Sequence, residues 1–482
     1  MSFNSLPFIV FFVVFFFLYW FIFHRNLKFQ NLLILAGSYF FYCWWDWHFL
    51  FLLILNSSLN YALGYYMAKA TNQRTKSILL YIGVLAGVGS LVYFKYTNFF
   101  ITSFISAFEK IHIIINIHTI NIALPLGISF YTFRTLSYLF DINKEKFKPT
   151  SDIVVFFSFV AFFPCLLAGP IDKAQTLIPQ LLKKREFNYE KAVDAMRQIL
   201  YGLFKKIVIA DNLAQVTNNI FDNYHHLPGS TLALGVFYYS IEMYTDFSGY
   251  SDMAIGFARL IGFDITKNFN FPFFSQSIAE YWRKWHMSLT KWLTEYLFTP
   301  LSIALRDYGK MGLILAIIIN LTVIGIWHGA NWTFVLFGLL HGIYFIPLIL
   351  KGTMNKNKKI DPDKLLPSFS EFVNMLKTFI LVNFAFIFFR SDTVSQAFSI
   401  IRRICSISLI QFPQNSKPYF IPVIIVFLLV EWIQRNKQHV LQIENIKQGS
   451  LRWGIYFVLF VTILIFVSAG DQTNNGFIYV KF

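Results

Sequence analysis

From Leu6 onward the chain alternates long apolar runs with short basic stretches. The runs are Leu6–Phe23, Leu32–Leu55, Ile78–Phe94, Ile120–Phe140, Ile153–Ala168, Ile199–Ala210, Leu232–Tyr244, Gly312–Trp327, Trp332–Leu350, Phe372–Phe389, Tyr419–Trp432 and Trp453–Ala469. A spanning helix needs about 20 apolar residues to cross roughly 30 Å of hydrocarbon. Several runs fall short of that, as re-entrant or buried half-spans do when neighbouring protein satisfies their backbone. The pattern predicts an all-α, polytopic transmembrane protein with about 10 to 13 membrane helices, some short or re-entrant. No polar linker is long enough to separate domains and no strong internal repeat shows, so residues 1–482 are expected to form a single integral membrane domain.

Charge placement adds an orientation. Leu6–Phe23 is uncharged, with no basic residue before it and no small-residue cleavage site after it, so it reads as a retained first span, not a signal peptide. His24, Arg25 and Lys28 follow it, which puts the N-terminus outside the cytoplasm by the positive-inside rule. Lys69–Lys76, Lys183–Lys191 and Lys351–Lys364 read as loops, the last two as cytoplasmic ones.

Composition narrows the class. Hydrophobic residues make up 56% of the 482, aromatics 20% and charged residues 14%, with a mean hydropathy of +0.53. This excludes a disordered chain and a disulfide scaffold, and it requires lipid as the main solvent. A net charge of +16 would suit nucleic acid if it formed one patch, but the basic residues are scattered between the apolar runs, so no nucleic-acid partner is expected. Cys43, Cys165 and Cys405 are far apart in apolar surroundings and read as small core residues.

The polar region 245–311 breaks the pattern, and candidate chemistry gathers there and just beyond. Ser277–Leu297, SIAEYWRKWHMSLTKWLTEYL, has the spacing of one amphipathic helix, with Glu280–Lys284 and Lys291–Glu295 as favourable i,i+4 pairs. At about 100° per residue, His286 falls opposite Lys284, beside Trp282, Leu289 and Leu293. Lys and Trp together also suit a helix that only anchors at the membrane interface.

In Gly325–Gly342, GIWHGANWTFVLFGLLHG, His328 closes an uncharged run. An ionisable group at membrane depth is costly and points to function. The bland alternative is a histidine that only bonds a neighbouring helix. Gly325 and Gly329 form G-x-x-x-G, which lets a helix or a ligand approach the backbone closely. His341 repeats the placement in GLLHG, where a structural role is the simpler reading. Walker, zincin and nucleophile-elbow motifs are absent. Asp361 and Asp363 read as a solvated turn and His225–His226 as a loop, so no metal site is expected.

Six blocks in order resemble the membrane-bound O-acyltransferase (MBOAT) family, and within it the bacterial branch that contains the alginate O-acetylation membrane protein. They are FFPCLLAGPI (Phe162–Ile171), GLFKKIVIADNLA (Gly202–Ala214), DFSGYSDMAIGFARLIGF (Asp246–Phe263), NFNFPF (Asn268–Phe273), YWRKWHMSLTKWLTEYLFTPL (Tyr281–Leu301) and IWHGANWTFVLFGLLHG (Ile326–Gly342). The ending FIYVKF (Phe477–Phe482) is similar to the family's aromatic tail. Where many members carry Gly-Gly-Asn-Arg, this chain has SIALRDYGK (Ser302–Lys310).

The resemblance implies acyl transfer from a cytoplasmic thioester, acetyl-CoA, to a hydroxyl in a central tunnel. It further implies a place in the bacterial plasma (inner) membrane, a cell-surface polysaccharide as acceptor, and a periplasmic SGNH-hydrolase-like partner that completes transfer. His328 takes the family's near-invariant histidine and His286 a second functional one. The chemistry suits the residues: neutral imidazole is a base near pH 7, and the tetrahedral intermediate needs donors at its oxygen. Helix-end N–H groups near Gly329, or His286, are candidate donors. Arg283 and Lys284, with Trp282 beside them, are expected to hold the acyl donor's phosphates, or else lipid headgroups. Gly325, Gly329 and His341 are expected to line the passage. Two other readings stand beside this one: D-alanyl transfer from a carrier-protein thioester in teichoic-acid D-alanylation, and a transporter without transfer chemistry.

Overall fold

A computed structural model describes residues 1–356, 364–414, 416–469 and 477 of the chain, without the side chains of Ser468 and Ala469. Asp361, Asp363 and the tail after Phe477 lie outside the described residues. Every regular element among the described residues is helical. Among the described residues, six helices are long and apolar enough to cross a membrane: His48–Lys69, Gln73–Glu109, Arg306–His328, Trp332–Leu350, Phe369–Arg390 and Gly449–Val467. Leu6–Ile22 and Phe420–Ile433 are apolar but shorter.

The other apolar runs take forms that hydropathy alone does not distinguish. Ile120–Phe140 becomes helical only from Ile128, after Pro125 and a left-handed Gly127 at φ 72°. Ile153–Ala168 is split by Phe162 into the helix Ile153–Ala161 and a single turn, Phe163–Leu166. Leu232–Tyr244 lies in the first half of a 32-residue helix, Gly229–Leu260, whose later turns carry polar side chains. Those turns escape a hydropathy search because their polar groups are satisfied by protein instead of water.

The chain groups into two compact units. Met1–Ala192 with Phe257–Thr266 form the first, and Val193–Gly256 with Lys267–Phe482 form the second. In the first, the break at Phe162 strips the end of the preceding helix of its hydrogen-bond partners. Arg134, 1% exposed, repairs this by donating to the carbonyls of Phe159 and Val160.

In the second unit, charges are tied down in pairs around Gly229–Leu260. Lys205 bonds Asp252 at 2.5 Å and the Ser248 hydroxyl at 2.9 Å, and Lys206 sits between Asp246 at 2.6 Å and Asp211 at 2.9 Å. Glu431, on Phe420–Ile433, accepts hydrogen bonds from the hydroxyls of Tyr201 and Tyr244. Breaking such buried pairs costs several kcal/mol each, about 3–5, because the remaining charge is stranded.

Candidate active site

The segment that reads as one amphipathic helix is two. Ile278–Lys284 is capped by the Ser277 hydroxyl, Trp285 is extended, and a second helix starts at Met287. His286 lies at the break with φ 41° and ψ 53°, the left-handed region that costs a side-chain-bearing residue roughly 1–2 kcal/mol. No glycine or proline occurs there, so the break is imposed from outside the segment. The irregular stretch around Asn268 does it. The Asn268 carbonyl accepts from Met287 N–H at 2.8 Å, and its side-chain oxygen accepts from the Ser288 hydroxyl at 2.6 Å. Its amide nitrogen donates to the Ser251 hydroxyl at 3.1 Å, and Asn270 N–H donates to the Lys284 carbonyl at 3.0 Å. Asn268 thus turns the chain so that the fully buried His286 ring points inward. The i,i+4 pair Glu280–Lys284 forms at 2.7 Å.

His328 is placed by a different device. It is the last residue of the helix Gly309–His328, which stops because Gly329 is extended at φ −170°. Asn331 then caps the next helix, accepting from Thr333 N–H at 3.1 Å while its amide donates to the Asp392 carbonyl at 2.7 Å. The sequence His-Gly-Ala-Asn therefore encodes a helix end and a helix start with a buried imidazole between them. A helix C-terminus carries partial negative charge, so the His328 ring sits at the carbonyl end of its helix.

The two histidines converge. Their ring centroids are 6.4 Å apart. Trp327 packs on both, at 5.7 Å from His286 and 5.1 Å from His328. Phe247 covers His286 at 4.7 Å and Phe389 covers His328 at 5.1 Å. His286 lies outside the six spans, and burial pushes its imidazole down to about 3. The ring is therefore neutral at physiological pH, with one nitrogen protonated. Two imidazoles this close can between them accept a proton from a hydroxyl and donate a hydrogen bond to a developing oxyanion.

Three sequence expectations change here. The helix end at Gly329 presents carbonyls, and Gly329 N–H itself donates to the Ile326 carbonyl at 3.2 Å, so it supplies no oxyanion donor. Gly325 and Gly329 do not open a passage. A Cβ at Gly325 would strike the Phe334 carbonyl and Gly338, and one at Gly329 would strike the Phe334 ring. Gly325 lets the helices Gly309–His328 and Trp332–Leu350 lie backbone to backbone, joined by Gly338 and Gly342 against Leu321 and Ile318, while Gly329 makes room for the Phe334 ring. Finally, the face of a continuous helix does not decide where His286 points; the break does.

The remaining candidates separate by environment. Trp282 is buried, and its indole N–H donates to His341 Nδ1 at 3.2 Å. Phe337 lies between the histidines, 6.3 Å from His328 and 4.7 Å from His341. Arg283 is exposed and bonds the Met354 carbonyl at 3.3 Å, and Lys284 is held by Glu280. His225 and His226 are exposed, and among the described residues no three His, Cys, Asp or Glu side chains converge as metal ligands. Asn268 is the positioning residue that sequence reasoning missed; its visible signal was two asparagines before Phe271-Pro272, a polar stretch beside apolar neighbours.

Residues 143–389 match the membrane-bound O-acyltransferase family. The probable alginate O-acetylase AlgI of Azotobacter vinelandii is 35% identical over 386 residues, covering 77% of this chain and 71% of that protein. The peptidoglycan O-acetyltransferase of Helicobacter pylori is 32% identical over 427 residues, covering 82% and 77%. The teichoic acid D-alanyltransferase of Streptococcus thermophilus is 30% identical over 282 residues, covering 54% and 65%.

Proposed function

Since the chain belongs to the membrane-bound O-acyltransferase family and is a multi-pass O-acyltransferase, we propose that it moves an acetyl group from a cytoplasmic thioester to a hydroxyl, for O-acetylation of a cell-surface polysaccharide. The observation that carries this reading is the pair of buried histidines, His286 and His328, facing each other across 6.4 Å. His328 takes the proton of the attacking hydroxyl as its oxygen bonds to the acetyl carbon. The neutral N–H of His286 stabilises the tetrahedral oxyanion. Collapse breaks the carbon–sulfur bond, and the thiolate leaves with the proton that His328 returns. Burial keeps water from competing for the thioester.

Acetyl is preferred to D-alanyl as the transferred group because the relatives named for O-acetylation match over 77–82% of the chain, against 54% for the D-alanyltransferase. Acetyl-CoA is the proposed donor, and a periplasmic SGNH-hydrolase-like protein the proposed partner in the final transfer. The proposed setting is the bacterial inner membrane, with the N-terminus outside the cytoplasm. The test is His328→Gln in cells that depend on this chain for surface acetylation. The expected outcome is protein inserted at wild-type level and ester content at background. Normal ester content in that strain would overturn the assignment, and transport that persists in His328→Gln, with no thioester turnover by the purified wild-type protein, would favour a transporter.

A further inference from the structure

His341 is one ring contact beyond His328, and its hydrogen bonding is half complete. A tryptophan indole nitrogen can only donate, so the Trp282 Nε1–H bond to His341 Nδ1 fixes Nδ1 as acceptor. The neutral ring then carries its proton on Nε2. That nitrogen is buried, in a residue with 0% exposure, and has no partner among the described residues. Tyr281 stacks parallel to the ring at 6.2 Å, Trp282 meets it edge-on at 5.1 Å and Phe337 at 4.7 Å, so the imidazole cannot turn to find another acceptor. A buried N–H left unsatisfied is costly, and native proteins rarely leave one so unless a water or a ligand completes it.

The chemistry of the donor says which acceptor arrives. Resting on the function proposed above, we infer that His341 Nε2–H binds the first amide carbonyl of the phosphopantetheine arm, the part common to acetyl-CoA and to an acylated carrier protein. In that arm, two methylenes separate the thioester sulfur from an amide. With the thioester at His328, the arm passes the Phe337 ring and its first amide comes level with His341. Phe337 contacts both rings and gives the two methylenes an apolar surface. Trp282 is then a positioning residue: it sets the tautomer that turns His341 from a potential acceptor into a donor.

The test uses full-length protein in detergent and two small thioesters of equal chain length. S-acetyl-N-acetylcysteamine keeps the first amide; S-pentyl thioacetate lacks it. Thiol release with polysaccharide acceptor present gives kcat/KM for each, and the ratio of the two is the readout. Wild-type protein is expected to favour the amide-bearing thioester about tenfold, the effect of one buried hydrogen bond. His341→Phe should bring the ratio near one, His341→Gln, which keeps a donor, should retain most of it, and Trp282→Phe should lower it with the imidazole still present. A change in packing alone would slow both thioesters and leave the ratio unmoved. Equal use of the two by wild type, or an unchanged ratio in folded His341→Phe and Trp282→Phe proteins, overturns the assignment. Failure of wild type to use either thioester or acetyl-CoA would overturn the proposed function instead. Acetyl-CoA and an acetylated carrier protein, compared in the same variants, identify the source of the arm. His341→Phe should raise KM about tenfold for whichever is used.

Discussion

Asn268→Ala isolates what holds His286 in place. The substitution removes the 2.6 Å bond from the Ser288 hydroxyl, the long 3.4 Å bond from Ser288 N–H and the 3.1 Å bond to the Ser251 hydroxyl, and leaves the backbone bond from Met287 N–H. Each side-chain bond contributes about 1 kcal/mol net, and more where a buried hydroxyl is left stranded, for a total of about 2–4 kcal/mol. Against that stands the roughly 1–2 kcal/mol cost of the left-handed conformation at His286. With asparagine present the anchor exceeds the strain. Without it the two are comparable, and Ile278–Lys284 and Met287–Leu293 are free to join into one helix that carries His286 away from His328. Since 1.4 kcal/mol is tenfold, kcat should fall about 10- to 100-fold, with the surviving backbone bond limiting the loss. Donor KM should stay within about threefold, because a positioning loss acts on the transition state more than on binding. The assay is initial-rate acetyl transfer by detergent-purified protein of unchanged gel-filtration profile. The decisive comparison is the double variant: in a His286→Gln background, Asn268→Ala should cost little further, since the two changes remove one function. Wild-type kcat in Asn268→Ala, or full additivity in the double variant, would refute the reasoning.

Gly325→Ala should be damaging although it adds only one methyl, because that carbon meets the Phe334 carbonyl and Gly338 backbone. Overpacking of this kind costs about 1–3 kcal/mol, read as a lower thermal midpoint in detergent; an unchanged midpoint would show that the helix pair gives way freely. The pH profile follows from His286. Its pKa is depressed to about 3, so the neutral donor form is fully present above that value and is lost only as pH falls through it. The acid limb of kcat/KM measured between pH 5 and 8 should therefore keep its midpoint in His286→Gln, while the plateau drops.

Trp285 and His286 show where the sequence stops being readable. The apolar runs that became His48–Lys69, Arg306–His328, Trp332–Leu350 and Phe369–Arg390 announce themselves, because a helix facing lipid must be apolar over its whole length. His328 is legible as a candidate for the same reason: a titratable ring at the end of such a run is costly, and the structure places it between the helix end at Gly329 and the cap Asn331. His286 is legible as a residue but not as a geometry. Its neighbours have the 3.6-residue period of one helix, and the break depends on hydrogen bonds from Asn268, eighteen positions earlier in the chain. Periodicity records only local preference, and here a tertiary anchor overrides it. The glycines invert the lesson. Gly325 and Gly329 stand out in the sequence beside His328, yet small residues in a membrane helix serve helix packing as readily as ligand passage, and only their neighbours, the Phe334 carbonyl and Gly338 backbone at Gly325 and the Phe334 ring at Gly329, decide between them. The site thus combines one histidine placed by local helix grammar with one placed by a distant asparagine. Substitutions near His328 should therefore act through helix packing, and substitutions near His286 through the polar anchor that bends its chain.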